Sequence, residues 1–247
     1  MIVREEEPLA RHLPLRATEG CLERWVEVDD EAELVAFVRQ ARADKLVIRP
    51  IPPFCDALPP EAGLTGVGLR LGQGFEWVRD HERGVEVGAS FPVCLLARRG
   101  FPQLAEAAGT VSDALEDGWL WPAVVCVRRF KGRGFEEAVE ADPKGLVVSV
   151  VLRRGVRLSP MAAGTAFREP RRRGVELREL LRTVGVGELR LAGAALAEDD
   201  PAVIVNRGEA SPRQLRLLLS AVKERVRIAT GIDLEERLVA PGRGGRL

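Results

Sequence analysis

Four arginines fall within six positions, Arg168, Arg171, Arg172 and Arg173, around Pro170. Guanidinium groups at that density could hold a nucleotide phosphate or an acidic partner through charge-assisted hydrogen bonds, and they read equally as a solvated basic loop. Asp199 and Asp200 resemble a paired-carboxylate site, yet their place directly before Pro201 has the composition of an ordinary turn. Cys21, Cys55, Cys94 and Cys126 stand more than thirty residues apart, with no CxxC pair and only His12 and His81 to assist them. Metal ligation needs closely spaced soft ligands or a fold that gathers distant ones, so the cysteines are expected to be reduced, small core residues with no metal. No Ser-His-Asp set, Walker loop or zinc motif is present.

Composition narrows the function classes further. The chain has 247 residues, 46% of them hydrophobic and 30% charged, with 37 acidic side chains against 37 Lys plus Arg. That length can bury a substantial core as one large domain or two small ones. A zero formal charge argues against a dedicated nucleic-acid binder, which needs a basic excess on one face. No apolar run approaches the ~20 residues of a membrane-spanning helix. The opening Met1-Ile2-Val3-Arg4-Glu5-Glu6-Glu7-Pro8 lacks the apolar core of a signal peptide, so residence in the cytoplasm is expected.

Hydrophobic periodicity supplies the elements that must position any site. Val26-Glu27-Val28 reads as a strand, and Asp30 with Glu33 opens a helix through about Ala43 whose apolar face is Leu34, Val35, Phe37, Val38 and Ala41. Leu46-Val47-Ile48 reads as a buried strand stopped by Pro50, Pro52 and Pro53. Strands follow at 66–71, 85–87, 123–128 and 145–152, with a helix around 93–99. Beyond Gly155 a short helix over 177–183 and a strand over 202–205 precede the best helix of the chain. Ser211 caps it, Pro212 takes the first helical position, Gln214 completes a Ser-x-x-Gln box, and Gly231 stops it. Its buried stripe is Leu215, Leu218, Leu219, Val222 and Val226. A βαβ opening followed by mostly β structure is the pattern of an α+β fold.

The order Gly164-Thr165-Ala166-Phe167-Arg168-Glu169-Pro170, Val203-Ile204-Val205-Asn206-Arg207-Gly208-Glu209-Ala210-Ser211, then a helix ending at Gly231-Ile232-Asp233-Leu234, resembles a known family. It is similar to the C-terminal, substrate-binding domain of UDP-N-acetylenolpyruvoylglucosamine reductases, the FAD enzymes of peptidoglycan precursor synthesis. The resemblance implies an FAD-binding-type (PCMH-like) domain over 1–154, a smaller α/β domain of the reductase C-terminal type over 155–242, and a disordered tail over 243–247.

Carried over residue by residue, the resemblance keeps the scaffold and loses the chemistry. The family's second cofactor loop, Ile-Pro-Gly-Thr-Val-Gly-Gly-Ala, appears as Ala107-Ala108-Gly109-Thr110-Val111-Ser112-Asp113-Ala114, with Ser112-Asp113 replacing a glycine pair. Asp113, where it faces phosphates, would repel them. The first, glycine-rich loop becomes Arg49-Pro50-Ile51-Pro52-Pro53-Phe54-Cys55-Asp56, and prolines delete main-chain donors. The family's proton-donating serine corresponds to Thr165, which keeps a hydroxyl. Its glutamate position falls on Arg237, with Glu235 and Glu236 out of register. The expected arginine is absent from Phe135-Glu136-Glu137-Ala138-Val139, and a Lys-His-Ala-Asn run becomes Ala197-Glu198-Asp199-Asp200-Pro201-Ala202-Val203. Trp119 and Trp121 stand in a cofactor-facing loop, where indoles would fill the space of a missing flavin or form a partner patch.

What this implies is a non-catalytic homologue without FAD, in a binding or regulatory role linked to peptidoglycan precursor synthesis. Its partner would be an unknown protein or a nucleotide-type ligand. Two alternatives stay open. One is a diverged, active FAD-dependent and NADPH-using reductase with Thr165 as proton donor and Gly109 to Asp113 at the cofactor, and the other is a nucleotide or small-molecule binding protein on the same scaffold.

Overall fold

The computed structural model describes residues 1–12, 20–51, 58, 60–116, 119–138, 145–158, 165–172, 174–207 and 210–238. Pro52 to Asp56, Gly164, Arg173, Gly208, Glu209 and the 243–247 tail lie outside the described residues. The described segments form three sheets, each with its own apolar core.

The first sheet has strands β1 (Ile2–Pro8), β2 (Cys21–Val28), β3 (Ile48–Pro50) and β4 (Leu64–Leu71) in the order β1-β2-β4-β3. β2 and β3 run parallel to β4, while β1 pairs antiparallel with β2. Helix α1 (Glu31–Ala43) follows β2 because Asp30 accepts the Glu33 N–H at 2.8 Å, satisfying a donor that the first turn leaves open. Its Leu34, Val38 and Ala41 are buried against Val26, Val28 and Leu69, on the face the spacing marks. The third strand sits two residues later than the periodicity of Leu46-Val47-Ile48 predicts, and it contains Pro50. β3 is an edge strand paired only with β4, so the missing proline N–H removes no ladder bond, and Val47 is left exposed.

The second sheet is antiparallel: β5 (Val78–His81), β6 (Gly84–Gly88), β7 (Val124–Phe130), β8 (Phe135–Ala138) and β9 (Leu146–Leu152), ordered β5-β6-β9-β7-β8. Val85, Val87, Val150 and Leu152 bury against Val93, Leu96, Phe101, Leu104, Val111 and Leu120 from the connection between β6 and β7. That connection holds a 3-10 helix over Val93–Arg99, tighter than the α-helix its pattern suggests, and the short α2 (Val111–Glu116).

In the last part of the chain, α3 (Leu177–Val184) and α4 (Pro212–Thr230) pack on β10 (Arg190–Leu191), β11 (Ala194–Leu196) and β12 (Ile204–Asn206). α4 starts at a complete capping box: the Gln214 N–H donates to Ser211 Oγ at 3.3 Å, and the Ser211 N–H to Gln214 Oε1 at 2.8 Å. It stops at Gly231, whose φ of 70° is one that a side chain would strain. All five residues of the predicted stripe are buried. Leu58, from the segment between β3 and β4, joins this core, and Arg216 on α4 donates to its carbonyl at 3.2 Å. No helix among the described residues is long and apolar enough to cross a membrane.

Candidate functional site

The 109–113 loop enters α2 from a turn at Gly109, φ 88°. Its next three N–H groups all have acceptors inside the protein: Thr110 donates to Asp113 Oδ2 at 2.7 Å, Val111 to the Phe91 carbonyl at 3.0 Å and Ser112 to the Ala89 carbonyl at 2.8 Å. Thr110 Oγ1 donates to the same carboxylate oxygen at 2.6 Å, and both side chains are buried. Asp113 therefore caps the helix from its first turn, the reciprocal arrangement of a Thr-x-x-Asp box. An anion is held at a helix start by N–H groups without internal acceptors. At 110, 111 and 112 the loop offers none, and the described part of this loop does not fit a pyrophosphate.

Thr165 and Arg237, 72 positions apart, are neighbours. The segment 165–168 lies between two others: Ala166 N–H donates to the Ala202 carbonyl at 2.8 Å, Arg237 N–H to Ala166 at 2.9 Å and Arg168 N–H to Glu235 at 2.9 Å. Arg237 is 8% exposed, and its guanidinium donates to the Thr165 carbonyl at 3.1 Å. A guanidinium neither gives up nor accepts a proton near neutrality, so this group supplies positive charge and hydrogen-bond donors but no acid or base. The adjacent carboxylates do not substitute for a glutamate here. Glu235 pairs with Arg168 and Arg171 at 3.3 and 3.4 Å, and Glu236 with Lys223 at 2.9 Å.

The remaining candidates resolve into structural parts. Arg168 and Arg171 are half neutralised by Glu235, while Arg172 is exposed. Asp200 accepts the Ala202 N–H at 3.0 Å in a turn and pairs with Arg178 of α3 at 2.8 Å, the turn reading of that carboxylate pair. Trp119 and Trp121 are half-buried against the second core, and the Trp121 indole donates to the Leu115 carbonyl at 2.9 Å. Among the described residues no group of three or more His, Cys, Asp and Glu could hold a metal. Cys126 is buried and burial pushes its thiol pKa up, Cys94 is half-buried, and Cys21 is exposed at the start of β2 and so is not a core residue. Cys55 lies outside the described residues.

Sequence reasoning passed over three features. The Thr110-x-x-Asp113 box carries a readable capping signature, obscured by reading the same residues as a phosphate loop. Glu169 accepts the Leu177 N–H at 2.9 Å and caps α3 from eight residues away, for which local sequence gives no signal. Glu7 and His12 form a buried pair at 2.9 Å, with the His12 ring stacked 3.7 Å from Trp25.

Comparison with known proteins agrees with this architecture. The profile of the C-terminal domain of UDP-N-acetylenolpyruvoylglucosamine reductase matches residues 157–239. The chain is 23% identical to the reductase of that name from Heliobacterium modesticaldum, over 98% of this chain and 91% of the relative. With the one from Moorella thermoacetica it shares 35% identity over 82 residues, 33% of this chain and 26% of the relative. The fold superposes on the crystal structure of the Thermus caldophilus reductase with a TM-score of 0.72 at 20% identity, covering 96% of this chain and 100% of the other. That match gives the fold: an FAD-binding-type domain followed by the reductase C-terminal domain. Residues 157–239 thus carry the C-terminal domain of the UDP-N-acetylenolpyruvoylglucosamine reductase family, and the likeness to reductases of that name runs along nearly the whole chain.

Proposed function

We propose that this chain is a non-catalytic member of that family, a cytoplasmic binding or regulatory component linked to peptidoglycan precursor synthesis. Residues 1–154 would be the former cofactor unit and 155–242 the substrate-domain counterpart. One observation carries the reading. The N–H groups of Thr110, Val111 and Ser112 all bond within the protein, and the carboxylate of Asp113 closes the turn by accepting the Thr110 N–H. The buried positive charge of Arg237 beside Thr165, at the position where the sequence resemblance implies a glutamate, points the same way. The test is an absorption scan of protein purified from a flavin-replete host, followed by titration with FAD. No flavin band and no saturable binding are expected. Stoichiometric flavin, or binding at micromolar FAD, would sink the proposal.

A second reading, an active FAD-dependent and NADPH-using reductase, is favoured by the buried Thr165 and by relatives of that name aligned over 97–98% of the chain. Under it Thr165 would donate the proton to the reduced substrate. The same titration separates the two, since this reading requires bound flavin.

A further inference from the structure

The arginine cluster that stands out in the sequence, at 168–173, is partly neutralised, whereas a second one emerges only from the fold. The 3-10 helix over Val93–Arg99 ends in Arg98 and Arg99, and the chain leaving β9 carries Arg153, Arg154 and Arg157. The two stretches touch. Arg154 Nε donates to the Arg99 carbonyl at 3.2 Å, Gln103 Nε2 donates to the Val156 carbonyl at 3.0 Å, and a Cβ added to Gly100 would meet the Arg154 side chain at 3.1 Å. All five arginines are exposed. Among the described residues Asp80 is the carboxylate that pairs with this group, at 2.6 Å from Arg154, and none pairs with Arg98, Arg99, Arg153 or Arg157. Leu95, one 3-10 turn before Arg98, is 45% exposed.

We propose that the 98–100 and 153–157 loops form a docking surface for an acidic, leucine-tolerant segment of a partner protein. Unpaired guanidiniums of one sign raise the local potential and attract carboxylates, which their planar forks bind bidentately. A membrane surface fits less well, because Leu95 is a single exposed apolar side chain without aromatic companions. A nucleic acid also fits less well: the chain has 37 acidic residues against 37 basic ones, so a long polyanion gains no general attraction beyond the patch. The segment 1–33 carries ten acidic residues and four basic ones. A short acidic segment stays within the patch.

The test uses the full chain and a fluorescein-labelled peptide of alternating Glu and Leu, with a Gln-for-Glu peptide as control. Phosphatidylglycerol vesicles and a single-stranded oligonucleotide serve as competing classes. The variant Arg98→Glu/Arg153→Glu/Arg157→Glu is compared with Arg39→Glu/Arg133→Glu/Arg213→Glu, which makes the same charge change at scattered exposed sites. Wild type and scattered variant should bind the acidic peptide, more weakly at high salt, and the patch variant should bind about tenfold more weakly or worse. Thermal melts check folding, and an Arg-to-Gln version of the patch variant replaces the Glu version where that fails to fold. Absence of binding by wild type, equal loss in both variants, or patch-dependent binding confined to vesicles or oligonucleotide would overturn the assignment.

Discussion

At Asp113 a residue that reads as damage to a phosphate loop turns out to hold that loop together. Its Oδ2 accepts both the N–H and the hydroxyl of Thr110, and Thr110 is itself buried. Asp113→Ala should therefore destabilise the protein by about 1–3 kcal/mol in urea melts, the cost of leaving buried donors without an acceptor. A second residue-scale prediction concerns Glu7 and His12. Burial lowers the His12 pKa below 6.5, against the opposing pull of Glu7. Burial alone would raise that of Glu7, but hydrogen bonds from His12 and Arg4 outweigh it and hold the carboxyl below its ordinary value. Both groups thus bind fewer protons folded than unfolded, so their stabilisation is complete above pH 6.5 and declines as pH falls. Stability measured by urea between pH 7 and pH 5 should drop, and His12→Gln should flatten that slope. An unchanged slope in the variant would assign the pH dependence elsewhere.

Element boundaries divide according to where their determinants lie. α1 and α4 were legible because a capping residue and an apolar stripe both sit within the helix itself. Ser211→Ala should lower stability by about 1 kcal/mol by removing one half of the α4 box, and a circular-dichroism thermal melt measures it. β1 was not legible. Its Arg4, Glu5, Glu6 and Glu7 give no apolar alternation, because an edge strand with one partner can face solvent along most of its length, and those charges also discourage pairing with another chain. β5, β8 and β10 are two to four residues long, too short for periodicity to register, and are held by hairpin pairing to their neighbours. The candidate site followed the same division. Matching motifs located Thr165 and Arg237 separately, but that one lies against the other depends on the pairing of 165–168 with 235–237, which no local pattern encodes.

Across the whole molecule, a zero net charge conceals an uneven layout. Acidic residues predominate in the first strands and the start of α1, while the arginine patch lies at the end of β9 and the 93–100 turn. The apolar cores show a similar mismatch between sequence order and space. Leu58 belongs in sequence to the first sheet's connections, yet it is 3% exposed within the core of α3 and α4. The reductase-type C-terminal domain of this chain is therefore not a portable module. A chimera that exchanged only the residues after 155 with those of a relative would bring in a core shaped for a different plug, and removing a buried leucine from such a position costs about 2–5 kcal/mol. A substitution at Leu58 would therefore be felt in the core under α3 and α4, as a worn key is felt in its lock, although nearly a hundred residues of sequence separate that leucine from Gly155.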